Sequence, residues 1–120
     1  MLEKSSQSLG QSFQSALRGL RYVLRERNFV LQICAAVIAV GLSFALDLPR
    51  VDKIIILILC AFVLSAEVMN SACERILNLV TREHNPEVAR VKETLAGAVL
   101  IYSLAAFIIG FWIFSHALNF

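Results

Sequence analysis

Ile54-Ile55-Ile56-Leu57-Ile58-Leu59-Cys60-Ala61-Phe62-Val63-Leu64-Ser65-Ala66 carries no charge over thirteen residues, and Glu67 then interrupts it while the helical pattern continues through Val80. Two further apolar stretches flank this one, Phe29 to Leu48 and Thr94 to Leu118. Each is about the 20 residues that a hydrocarbon core demands of a helix. Pro49 and the charged turn Asp47 to Lys53 separate the first stretch from the second, because proline cannot continue a helix. The polar loop from Thr81 to Arg90 separates the second from the third. The pattern predicts an all-α integral membrane protein with transmembrane helices over 29–48, 54–80 and 94–118.

Composition agrees. Hydrophobic residues make up 58% of the 120 residues and charged residues only 17%, with a mean hydropathy of +0.73. Soluble domains are about 45–50% apolar, and a chain this short has too little interior to hide the excess. One domain, 1–120, is expected, and an ordinary soluble enzyme or a disordered tail is excluded. The net charge of +2 gives no reason to expect nucleic acid. Cys34, Cys60 and Cys73 all lie in apolar stretches without a CxxC pair, which reads as small apolar residues facing lipid or a neighbouring helix.

Ahead of the spans, Leu9, Phe13, Leu17, Leu20 and Leu24 recur at steps of three and four, opposite Gln11, Ser12, Arg18 and Arg25. This is an amphipathic helix, expected over 5–28, lying in the membrane interface with its arginines toward anionic headgroups. It does not read as a cleavable signal peptide, since no small-x-small cleavage site follows the first apolar run. Lys4, Arg18, Arg21, Arg25 and Arg27 crowd the N-terminal part, and Arg75, Arg82, Arg90 and Lys92 flank the second loop, against Arg50 and Lys53 in the first turn. By the positive-inside rule the N-terminus and second loop are cytoplasmic. The Ala106–Gly110 pair is of the small-xxx-small kind that lets helix backbones approach in lipid.

The chemistry concentrates at the end of the second span. Glu67, Asn70, Ser71, Glu74 and Asn78 stand at offsets that share one helix face. A charge at the bilayer centre costs about 2.5–3.5 kcal/mol on insertion scales, so such residues normally face a bundle interior or a polar cavity. Lys92, just ahead of the third span, could bind phosphate as a point charge, and Glu26 at the junction of the interfacial helix and the first span is a third acidic candidate. Together these suggest carboxylates for a divalent cation, a lysine for phosphate and a buried glutamate as base. Mg²⁺ is held by one or two carboxylates plus phosphate oxygens, and phosphoryl transfer needs mainly positioning and charge neutralisation. Spacing by itself leaves a lipid kinase, a non-enzymatic membrane scaffold and an ion-conducting oligomer all open.

Glu67-Val68-Met69-Asn70-Ser71-Ala72-Cys73-Glu74 resembles the ExxN(S/T)AxE motif of the small prokaryotic diacylglycerol kinase and undecaprenol kinase family. Ala89 to Leu100 resembles a second segment of that family, and Ser12-Phe13, Arg18-Gly19-Leu20 and Glu26-Arg27-Asn28-Phe29 resemble its N-terminal helix. The resemblance covers nearly the whole chain. It implies a homotrimer in the cytoplasmic membrane that transfers the ATP γ-phosphoryl group to a lipid hydroxyl, with Mg²⁺ as cofactor. It implies Glu67 as general base, Glu26 and Glu74 as metal ligands, and Asn70, Lys92 and Glu93 as nucleotide-binding residues. Glu93 and Asn78 both stand where the family usually has aspartate, and Gln32 where the undecaprenol branch often has histidine. The N-terminal blocks lean toward a polyprenol acceptor, with diacylglycerol close behind.

Overall fold

The computed structural model describes residues 8–81 and 83–119. Lys4 and Arg82, counted for orientation, and Ser5 to Gln7, the expected start of the interfacial helix, lie outside them. Among the described residues the chain is all-α, with four helices: α1 (Leu9–Val23), α2 (Arg27–Ala45), α3 (Arg50–Val80) and α4 (Pro86–Ala117). The last three are long and apolar enough to cross a membrane.

Local chemistry explains where each helix differs from its expected range. The start of α1 is fixed by a capping box: the Gln11 amide donates to Ser8 Oγ at 3.1 Å and the Ser8 amide to Gln11 Oε1 at 3.0 Å. Each satisfies an otherwise orphaned backbone donor. The expected helix over 5–28 stops at Val23. Glu26 adopts an extended backbone, φ −86° and ψ 129°, and Arg27 and Asn28 belong to α2. No proline or glycine compels this break.

Helix α2 ends in a Schellman motif. The Leu48 amide reaches the Ser43 carbonyl at 3.0 Å and the Asp47 amide reaches that of Phe44 at 3.0 Å, the two bonds that define the motif. Asp47 holds the left-handed position with φ 51°, and Leu48 behind it is buried. Lys53 anchors the same turn, 3.7 Å from Asp47 Oδ1 and 4.8 Å from the Phe44 ring centroid. Helix α3 starts directly after Pro49, four residues before its apolar run. Helix α4 starts at Pro86 rather than Thr94, because Asn85 caps it, accepting from the Glu87 amide at 2.9 Å, and Pro86 stands at the first helical position, where its missing N–H costs nothing. The expected loop over 81–90 shrinks accordingly, and Lys92 and Glu93 fall inside α4.

Helix α3 is the hub: α2 and α4 pack along it, and α1 touches it. Phe62 stacks on Tyr102 across α3 and α4, with centroids 6.3 Å apart. Buried apolar residues are few, namely Val23, Phe29, Leu48 and Ile56, and α4 buries none. No neighbouring helix closes on Gly97 or Gly110, since a Cβ there would meet nothing within 4 Å. The small residues of α4 therefore do not make the close helix contacts expected of them within one chain. At 1.5 Å per residue, a core about 30 Å thick that begins at Ile54 ends near Glu74. Glu67 lies roughly 10 Å inside that boundary on the same count.

The left-handed residue at the α2 end gives a test. Asp47→Val should lower the stability of the detergent-solubilised protein by about 1–2 kcal/mol, because a β-branched side chain crowds the left-handed backbone that aspartate tolerates. Asp47→Gly should not lower it. Thermal unfolding of the two variants side by side checks this, and equal behaviour would remove the turn from the forces that hold α2.

Candidate active site

The expected stripe forms on α3. Glu67 is 6% exposed and Ser71 only 2%, which brings a carboxylate and a hydroxyl into the packed middle of the chain. Glu67 is hidden within a single protomer, so its burial does not require a neighbouring chain.

Glu26 reaches the stripe from a distant part of the sequence. As the N-cap of α2 it makes no side-chain capping bond. Its Oε1 instead accepts a hydrogen bond from the Ser71 hydroxyl. Ser71 stands one helical turn from Glu67 on one side and one turn from Glu74 on the other, so the Glu26 carboxylate enters between them. None of the three carboxylates makes an ion pair among the described residues, where the only pairs are Lys53–Asp47 and Arg90–Glu87.

Two amides complete the surroundings. Gln32 Nε2 donates to Glu67 Oε2 at 3.5 Å. Gln32 Oε1 and Asn70 Oδ1 are buried acceptors with no partner among the described residues. A buried polar atom left so costs about 1–3 kcal/mol, which marks both as acceptors suited to a donor from a bound molecule.

Lys92 meets the stripe further out, donating to Asn78 Oδ1 at 2.8 Å. Asn78, whose missing charge set it apart in the sequence, is thus the partner that ties α4 to α3. Eleven residues of α3 place this pair about 16 Å along the axis from Glu67. A cleft of about 390 Å³ opens there, lined by Asn78, Thr81, Glu83, His84, Asn85 and Lys92 among others. Glu93 is exposed on α4 and does not line this cleft. The structure thus gathers Glu26, Glu67, Asn70 and Glu74, sets Lys92 apart at the outer end, and leaves Glu93 outside.

A second cavity of about 560 Å³ runs down the membrane side of the site. Helices α2 and α4 form its walls, with Ala35, Ala36 and Ala39 on one and Ala106 and Gly110 on the other, and Ile56 to Leu64 of α3 form its floor. Its lining is almost wholly apolar, and it ends at Gln32, the residue bonded to Glu67.

Gln32 and Ser71 are the residues to which sequence reasoning assigned no role. Ser71 was visible only as one member of the α3 face. Gln32 carried a signal, a lone amide in an apolar span, which normally faces a bundle interior.

Among the described residues no three His, Cys, Asp or Glu side chains converge as a ready-made metal site. Mg²⁺ does not need one, since it is usually held by one or two carboxylates with the remaining positions filled by phosphate and water. The carboxylates of Glu26 and Glu74, which pair with no cation among the described residues, fit such a partial site.

Residues 14–114 match the model of the family described as prokaryotic diacylglycerol kinase. The chain is 34% identical over 105 residues to the undecaprenol kinase of Bacillus subtilis (strain 168), covering 87% of this chain and 85% of that one. It is 29% identical over 101 residues to the diacylglycerol kinase of Synechocystis sp. (strain ATCC 27184 / PCC 6803 / Kazusa), covering 82% of this chain and 58% of that one. These matches decide between the readings that spacing left open, against a scaffold or ion conduit. With three membrane-crossing helices and a polar site at the end of the second, the chain is a multi-pass membrane lipid kinase and belongs to the prokaryotic diacylglycerol kinase family.

Proposed function

We propose that the protein transfers the γ-phosphoryl group of ATP to the hydroxyl of a membrane polyprenol at the cytoplasmic face. The observation that carries this reading is Glu67, buried beside the Gln32 at which an apolar groove ends, and flanked by two carboxylates that pair with no cation among the described residues. The lipid hydroxyl oxygen attacks the γ-phosphorus, the bond to the ADP oxygen breaks, and the hydroxyl proton passes to Glu67. Gln32 holds the other face of that carboxylate in place. Asn70, with its free acceptor, orients the reacting groups. Glu26 and Glu74 hold Mg²⁺, which when bound neutralises phosphate charge. Lys92 contacts ATP phosphates in the site it serves, which its distance from Glu67 of the same chain lets be a neighbour's.

The groove favours a polyprenol over diacylglycerol. Diacylglycerol carries two ester groups close to its hydroxyl, and each buried carbonyl without a donor is costly. Below Gln32 the lining offers almost no polar atom. A polyprenol carries only hydrocarbon behind its hydroxyl and leaves nothing unsatisfied. The undecaprenol kinase relative supports the same choice.

Purified protein given Mg-ATP should phosphorylate a polyprenol in preference to diacylglycerol, read as phosphate entering the organic phase. A 1,2-dialkylglycerol, which has two chains but no esters, separates the cost of the carbonyls from that of the second chain. Glu67→Gln keeps the shape but cannot take the proton, and should abolish turnover with every acceptor while the protein still inserts. Near wild-type turnover in that variant would remove Glu67 from the mechanism.

Glu26→Ala and Glu74→Ala should each raise the Mg²⁺ concentration needed for half activity, by tenfold or more. Wild-type Mg²⁺ dependence in both would sink their role as ligands.

A homotrimer is part of the proposal. Helix α4 buries no residue, so the side of it turned away from the groove is free to pack against another copy. Lys92 also lies far enough from Glu67 for one chain's lysine to serve a neighbour's site. The mass of the active species in detergent should be that of three chains, and a fully active monomer would overturn this part alone. Mixing Glu67→Gln chains with Lys92→Ala chains should restore some activity if sites are shared.

A further inference from the structure

The bend between α1 and α2 is held from α3 at two points one turn apart. At the first, the Ser71 hydroxyl holds Glu26. At the second, four residues on, the Arg75 guanidinium donates from Nη2 to the Tyr22 carbonyl at 3.4 Å and lies over the Tyr22 ring, 5.7 Å from its centroid. Residues four apart are neighbours on one helix face, so both holds belong to the same side of α3.

Tyr22 lies in the last turn of α1, where carbonyls lack helical donors and a cation is favoured. The amides of the bend bypass it: Leu24 bonds to the Leu20 carbonyl and Glu26 to that of Val23. Little else fastens α1. Val23 is its only buried residue, and Leu9, Phe13 and Leu17 are exposed. Although Arg75 follows Glu74 in the chain, it makes no ion pair with any carboxylate of the site. Its charge is directed to α1 instead.

We infer that Arg75 and Tyr22 form a clamp that sets where Glu26 lies, which makes Arg75 a positioning residue for the cation-binding carboxylates. The inference rests on the reading of Glu26 as a ligand. Glu26 sits at the hinge with an extended backbone and does not cap α2, so its carboxylate goes where the bend carries it. One hydroxyl contact leaves the direction of α1 free. A second contact one turn away removes that freedom. Arginine suits the task because its planar guanidinium can stack on a ring and donate in its plane at once, which an ammonium cannot do.

Arg75→Ala and Tyr22→Ala should each raise the Mg²⁺ concentration for half-maximal phosphorylation about tenfold, the low end for residues that orient metal ligands. Turnover at saturating Mg²⁺ should be retained. The double variant should be no worse than Arg75→Ala alone, because that change already removes both the ring contact and the bond to the backbone carbonyl that Tyr22→Ala leaves in place. Tyr22→Phe keeps ring and carbonyl and should behave as wild type, and Arg75→Lys should fall between. A second readout needs no activity. With Cys34, Cys60 and Cys73 replaced by serine, and labelled chains diluted into an excess of unlabelled ones, spin labels at positions 14 and 79 should give one narrow distance that broadens in Arg75→Ala. Unchanged Mg²⁺ dependence in both single variants, additive effects in the double, or an unbroadened distance would each overturn the clamp. Should the wild type phosphorylate no lipid at all, the kinase mechanism fails on its own, and the spin-label distance still decides whether the clamp exists.

Discussion

Glu67 stands roughly 10 Å inside the hydrocarbon boundary by residue count, where an isolated charge costs a few kcal/mol. It is tolerated because α2 and α3 bury it together, with Gln32 on one oxygen and the Ser71–Glu26 pair one turn away. That arrangement dictates much of the rest. Helix α3 must be long enough to carry the carboxylate within the membrane and Glu74 and Asn78 beyond it. Helix α2 must present an amide at the right depth, and the chain must bend at Glu26 so that a third carboxylate can arrive from the surface. These three acidic groups pair with no cation among the described residues.

The same packing separates the site into a wet end and a dry end. Toward the surface the stripe runs through Glu74 to the Lys92–Asn78 contact and a cleft edged with polar side chains. Toward the bilayer it meets a groove lined by alanine, leucine and phenylalanine. The polar cleft and the apolar groove therefore open to different media at the two ends of the site. Because α2 and α4 both lean on α3, the groove exists as the space between them. Small side chains on both walls keep it open.

Stability in water plays little part in this design. Among the described residues only four apolar side chains are buried, because in a bilayer lipid covers the rest and the hydrophobic effect no longer drives helices together. Specific local devices set the geometry instead. They are the capping box at Ser8, the Schellman turn at Asp47, the Asn85–Pro86 start of α4 and the hold of Arg75 on Tyr22.

The number of membrane helices, the interfacial helix and the α3 stripe were legible in the sequence, because apolar length and a period of 3.6 are properties of local order. Helix ends were less so. The starts of α3 and α4 lie in charged segments that hydropathy assigns to loops, although Pro49 and Asn85-Pro86 mark them once capping is weighed. The break at Leu24 to Glu26 had no local signal, since no residue there forbids a helix, and what the break gains is a contact 45 positions away at Ser71. Likewise Gln32 beside Glu67, the separation of Lys92 from Glu67, and the apolar groove follow only from how helices lie against each other. A helix face states which side chains travel together along one segment. It does not state which face of another helix they will meet, and that pairing is decided by packing between segments distant in the chain.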